Sequence, residues 1–239
     1  GLSRPTVLIV GINRTQLLSF LPMAGNVAEV GTFRGQFSER IRHIAEPRLL
    51  HLIDPWTCEG DRNPQYTNST MQDAFERVQT IFREDIITGR VVLHRDYSTR
   101  VAPTFPDHSF DWIYIDGVHD FENVWSDLLA FKDKVKPDGF ILGHDFSNYR
   151  NPKLFGVIPA VRKFIRCHGF ELVLLTNETN PSFLLARAGN ITTLASLKER
   201  LLGDPKCSIV GINESLLDRF QQVGVTRTAG RRDRLLTFG

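Results

Sequence analysis

Cysteine is scarce in this sequence, and what there is cannot form a framework. Cys58, Cys167 and Cys207 are odd in number, far apart and without a C-x-x-C spacing. That excludes a disulfide scaffold and a thiolate zinc site, and fits a reducing compartment. Long apolar runs are also missing. No stretch approaches the ~18 residues that span a bilayer, and no signal-peptide pattern opens the chain, so no membrane partner and a cytoplasmic location are expected. In that setting the sequons at Asn68 and Asn177 read as chance matches. Neither charge sign dominates: 29 basic against 27 acidic side chains leave +2. That is too little for a nucleic-acid-binding face. The one basic cluster, Arg227, Arg231, Arg232 and Arg234, reads as a solvated tail.

What is present is enough chain, 239 residues, for one sizeable α/β core but not for two full domains. Seven short runs rich in Val, Ile, Leu and Phe, bounded by Gly, Pro or Asp, read as buried strands: Val27–Val30, Leu49–Ile53, Val91–Leu93, Trp112–Ile115, Phe140–Leu142, Leu172–Leu175 and Phe183–Ala186. Helix-length stretches separate them at Gln36–Ala45, Met71–Arg83, Glu122–Val135 and Val157–Cys167. Such alternation predicts a mostly parallel sheet with helices on both faces and ligands beyond the carboxyl ends of the strands. The segment Pro55–Thr70 lacks periodicity and reads as a loop, either a lid or a surface excursion. Residues 1–25 and 189–239 flank the core region 26–188 as extensions. They share an echo: Ile9-Val10-Gly11-Ile12-Asn13 repeats as Ile209-Val210-Gly211-Ile212-Asn213. Two appended strand–helix units are one explanation and coincidence is the other. If real, they leave strand edges to cover, which predicts a homo-oligomer, most simply a dimer, through residues 1–20 and 200–225.

Four motifs carry chemistry. The first is Ala28-Glu29-Val30-Gly31-Thr32-Phe33-Arg34-Gly35, an acid-ending strand followed by a Gly-x-x-x-Gly turn into a helix. Gly31 and Gly35 would let a ligand approach the backbone closely. The triple-glycine dinucleotide fingerprint is absent, which favours a nucleoside without phosphates over NAD. The second, Asp54-Pro55-Trp56, places an acid at the next strand end, where it can accept from ribose hydroxyls. In the third, Asp96-Tyr97-Ser98, either Asp96 or Ser98 can meet an adenine edge, or simply start a helix. The fourth is Asp116-Gly117-Val118-His119 together with His144-Asp145, at two further strand ends. Carboxylates and imidazoles converging there suit a divalent cation or acid–base work.

With these motifs in order, residues 26–188 resemble the class I S-adenosylmethionine-dependent methyltransferases. They are most similar to the pattern E-V-G-T-x-x-G-x-x-S, D-P-W, Y-I-D-G-x-H and G-G-x-I-x-x-H-D, shared with catechol and macrolide-sugar O-methyltransferases. Here Asp138-Gly139 replaces the Gly pair. The resemblance implies a Rossmann-like, seven-stranded sheet with one antiparallel hairpin at its edge, and S-adenosylmethionine as cofactor. It places Glu29, Gly31 and Gly35, with Thr32, at the methionine part, Asp54 with Pro55 and Trp56 at the ribose, and Asp96, Tyr97 and Ser98 at the adenine. Asp116 and Asp145 fall on metal-ligand positions, and His119 falls where catechol enzymes keep a catalytic lysine. Two departures bear on the metal. Phe146 stands where catechol enzymes have a ligating Asn, and His144 where the macrolide-sugar enzymes have the first of two acids.

The expectation is O-methylation of a small hydroxylated acceptor, a sugar or natural product. His119 is the candidate base, since an imidazole titrates near ~6.5. Asp116 is placed with it in the catalytic site and also among the cofactor-binding residues, and Asp116, His144 and Asp145 are candidates for a divalent cation such as Mg or Mn. The alternatives are metal-assisted hydroxylase or hydrolase chemistry on the same fold, and a non-catalytic cofactor-binding scaffold.

Overall fold

Apolar runs that no amphipathic face can accommodate must be covered on both sides, and the sheet here is built to do that. The computed structural model describes residues 6–58, 66–147, 155–219, 221–226 and 232–237. Segment 59–65 of the expected loop, Arg227, Arg231 and the side chains of Arg232 and Arg234 lie outside the described residues.

The chain enters through β1 (Thr6–Val10) and a short helix α1 (Arg14–Leu17), capped by Asn13. Then follow β2 (Asn26–Val30), α2 (Gln36–Ile44), β3 (Leu49–Ile53), α3 (Asn68–Ile81), α4 (Arg83–Ile87), β4 (Val91–His94), α5 (Ser98–Val101), β5 (Phe110–Ile115) and α6 (Phe121–Phe131). The second half comprises β6 (Val135–Gly143), α7 (Val157–His168), β7 (Phe170–Thr176), β8 (Phe183–Arg187), α8 (Ile191–Gly203) and β9 (Ile209–Asn213). A separate hairpin, β10 (Gln221–Thr226) with β11 (Arg232–Thr237), follows.

Among the described residues nine strands form one sheet in the order β4-β3-β2-β5-β6-β8-β7-β1-β9. The run from β4 to β6 is parallel, and β8 is antiparallel to both β6 and β7. Successive side chains point to opposite faces, so Ile113 and Ile115 enter one core with Val124, Leu128 and Phe164, while Trp112 and Tyr114 enter the other with Phe37, Ile41 and Val78. Helices thus cover both faces, as the alternation predicts.

Four expectations change. The sheet has nine strands rather than seven, because β1 adds parallel to β7 and β9 adds antiparallel to β1. The β7–β8 hairpin is therefore not at an edge. The echo segments meet directly, with Ile9 opposite Val210 and Val10 opposite Ile209. The helix expected over 122–135 stops at Phe131, where Lys134 N–H closes on the Phe131 carbonyl at 2.9 Å and Val135 joins the sheet opposite Phe110. The loop expected to Thr70 ends earlier, since Thr67 caps α3 in a reciprocal pair with Thr70.

Candidate active site

The carboxyl ends of β2, β3, β4, β5 and β6 lie along one edge of the sheet, and every motif residue singled out above follows one of them or closes it. The turn after β2 has three residues with positive φ: Gly31 at 90°, Phe33 at 47° and Gly35 at 76°. Packing gives these glycines a reason of their own beside the ligand approach expected of them. A Cβ on Gly31 would overlap the backbone carbonyl of Asp116, and one on Gly35 would lie 3.1 Å from Val78 Cγ2. Both therefore answer to packing and to left-handed backbone. Next to them the buried Thr32 hydroxyl has no hydrogen-bond partner among the described residues, an unfilled acceptor and donor at the mouth of the turn.

Asp54 faces this turn. Its two carboxylate oxygens accept from Phe33 N–H at 2.8 Å and Trp56 N–H at 2.7 Å. Trp56 Nε1 in turn donates to the Phe33 carbonyl at 2.8 Å. Burial pushes Asp54 above the usual carboxylate range against the pull of these amides. Asp54 and Trp56 thus act together as a clamp on the glycine turn. Glu29, at the penultimate position of β2, is buried and accepts from Ser38 on α2. Burial raises it to about 8, against the Ser38 hydrogen bond.

After β4, Asp96 accepts from Tyr97 N–H at 2.7 Å and stays half exposed beside Arg100. The Ser98 hydroxyl instead donates to Asp127 of α6. Asp127, buried and raised to about 6 by that burial, carried no sequence signal beyond its place on the helix's inner stripe.

The acidic and imidazole groups converge after β5 and β6. His144 N–H bonds the Ile115 carbonyl at 3.1 Å, extending the β5–β6 ladder by one residue. Asp145 then turns with φ 57°, a left-handed backbone that costs an L residue roughly 1 kcal/mol or more. This turn places consecutive side chains on the same side. His144 Nδ1 is 3.1 Å from Asp145 Oδ2 and 3.6 Å from Asp116 Oδ1, and His119 Nε2 is 3.4 Å from Asp145 Oδ2. Burial alone would raise Asp145, but the His144 hydrogen bond and the flanking imidazoles hold it below the usual range. Asp116 goes the other way, raised by burial against His144 and Arg14. Phe155 stacks on His119 at 5.5 Å. Phe146 is fully buried against Phe183 in the core.

Sequence reasoning missed Arg14. Its guanidinium bonds Asp116 Oδ2 at 2.7 Å and lies 4.5 Å over the Phe37 ring, while its backbone N–H is held by Glu178 at 2.8 Å. The only signal available was negative: at the matching place the C-terminal echo has Glu214.

A family model described as a methyltransferase domain matches residues 28–146. Among curated protein sequences none matches significantly. Solved structures similar in fold include N-methyltransferase NodS from Bradyrhizobium japonicum (13% identity, 73% of this chain and 93% of that one, TM-score 0.53). A SAM dependent methyltransferase from Aquifex aeolicus is alike to a similar degree (14% identity, 72% and 89%, TM-score 0.53). So is the tRNA methyltransferase TrmK of B. subtilis (12% identity, 74% and 65%, TM-score 0.51). Their names differ in acceptor, so the shared fold does not select one. Residues 28–146 match the methyltransferase-domain family, and the sheet has the Rossmann-like fold of S-adenosylmethionine-dependent methyltransferases, with the Asp116, His119, His144 and Asp145 cluster at the edge where such folds bind their ligands.

Proposed function

We propose that the chain methylates an oxygen of a small hydroxylated acceptor, a sugar or natural product, with His119 taking the acceptor proton. The observation that carries this reading is the Asp145–His119 contact. His119 Nε2 lies 3.4 Å from Asp145 Oδ2, so the carboxylate stabilises the imidazolium formed when the proton arrives, and Nδ1 is the nitrogen that takes it. Phe155, stacked on the ring, fixes its plane. S-adenosylmethionine supplies an activated methyl group, so the protein's task is to align the acceptor oxygen and remove its proton. The unfilled Thr32 hydroxyl at the glycine turn supports a ligand there.

A second reading adds a divalent cation. One ligand atom each from Asp116, His144 and Asp145 lies within 4.8 Å of the others, which fits a cation, and an imidazole among carboxylates favours Mn, Fe or Zn over Mg. Bound there, such an ion would lower the acceptor's pKa and orient it. Those three residues would hold it, and Arg14 would have to release Asp116.

Calorimetry with S-adenosylhomocysteine, followed by methyl-donor turnover over a panel of hydroxylated sugars and phenols, tests the proposal. Binding with turnover supports it. Cofactor binding with methylation confined to nitrogen acceptors or RNA overturns the oxygen assignment. Turnover abolished by chelator and restored by Mn would select the second reading.

A further inference from the structure

The N-terminal segment lies outside the residues that match the methyltransferase model, 28–146, yet it delivers a cation into the site. Three anchors fix Arg14. Its backbone N–H donates to Glu178, which also accepts from the Thr176 hydroxyl at 2.7 Å. Its guanidinium lies over Phe37 in the first turn of α2, the helix that follows the glycine turn. Its Nη1 reaches Asp116 at 2.7 Å, and its side chain keeps 30% of its surface exposed. The group is thus held at the glycine turn and still open to a ligand.

Carboxyl groups crowd the surroundings. Glu29, Asp54, Asp116 and Asp145 all lie at these strand ends, and a guanidinium is the group best matched to a carboxylate, through two parallel N–H donors. A ligand carrying both an ammonium and a carboxylate can enter an existing Arg–Asp pair without leaving either partner uncompensated. The ligand's carboxylate replaces Asp116 on Arg14, and its ammonium takes the acid that is freed. An anion alone would strand Asp116 in a buried place, and a cation alone would strand Arg14, which is costly for buried charges.

We propose that Arg14 binds the carboxylate of the cofactor's amino-acid tail, exchanging its bond to Asp116 for one to the ligand. The N-terminal extension is then part of the cofactor site. This rests on the methyltransferase reading and adds to it a residue that the matched domain does not contain.

The test compares two ligands by calorimetry: S-adenosylhomocysteine, and 5′-methylthioadenosine, which keeps the nucleoside thioether and lacks the amino-acid tail. Wild type, Arg14→Gln and Arg14→Lys are measured with both. Loss of a charge-assisted pair is expected to weaken S-adenosylhomocysteine binding ~10–100-fold in Arg14→Gln, with part of the loss recovered in Arg14→Lys. Methylthioadenosine should bind all three alike, which also shows that the variants fold. Unchanged S-adenosylhomocysteine affinity in Arg14→Gln overturns the proposal, as does an equal loss for both ligands. A wild type that binds neither ligand overturns the methyltransferase reading itself.

Discussion

Glu29 carries a proton where an ordinary carboxyl would not. Its folded value of about 8 stands above the ordinary 4.5 because burial penalises the charge. Between those values the folded chain binds one proton more than the unfolded chain, so stability falls as pH rises across that window, by at most ~1.4 kcal/mol per pH unit. Denaturant titrations from pH 5 to pH 8 should show this slope, and Glu29→Gln, which cannot ionise, should flatten it. A wild type with no slope removes the assignment. His119→Ala is expected to lower turnover ~10²–10⁴-fold, the usual scale for a general base, with S-adenosylhomocysteine affinity nearly unchanged. Normal turnover would dismiss His119. At this scale the sequence exposes residues that end strands, since Glu29, Asp116, His119, His144 and Asp145 sit in motifs. It hides Asp127 and Arg14, whose importance comes from contacts with residues 29 and 102 positions away. It also cannot show which way a carboxylate faces. Asp54 sits at its expected strand end, yet its oxygens turn inward to the amides of Phe33 and Trp56.

Elements were legible where burial alone decides them. Leu49–Ile53 and Trp112–Ile115 are apolar because helices cover both faces of the sheet, and that shows directly in composition. Boundaries set by hydrogen bonds or pairing were not, as at Phe131, where the helix yields to β6. The glycine turn illustrates the same divide. Its position was evident, but its physical cause is the close approach of the Asp116 carbonyl to Gly31. This gives a paired prediction. Gly31→Ala must strain a backbone at φ 90° and displace the end of β5, and should cost more than ~3 kcal/mol in chemical denaturation. Gly89→Ala, at φ 71° with nothing near its Cβ, carries only the backbone strain and should cost about 1 kcal/mol. Equal costs would show that the contact with Asp116 does not constrain the turn.

At the scale of the molecule β1 and β9, far apart in sequence, form a single structural unit, which an echo of five residues could hint at but not establish. Antiparallel pairing of β1 with β9 is a long-range choice that composition does not encode. It leaves β1 with both edges paired, so our proposal of a two-fold dimer through residues 1–20 and 200–225 rests on β9 in the second segment, which no further strand flanks among the described residues. No helix among the described residues is long and apolar enough to cross a membrane. The terminal unit also packs into the core: Ile212 and Leu217 are buried in the cluster that holds Val7. Ending the chain at Gly203 removes both, at ~1.5–3 kcal/mol per buried side chain, and uncovers the outer edge of β1. For a chain of this length that amounts to a fall in Tm of about 10 °C. Because Arg14 follows β1 by four residues, the loosened strand should carry its guanidinium away from Asp116. The truncated protein is therefore expected to bind S-adenosylhomocysteine as weakly as Arg14→Gln does, while methylthioadenosine binds as in the full chain. Calorimetry and thermal melting on the truncated protein measure both effects. If it melts and binds as the full chain does, β9 is an ornament on the sheet edge and the N-terminal segment is held by β7 alone.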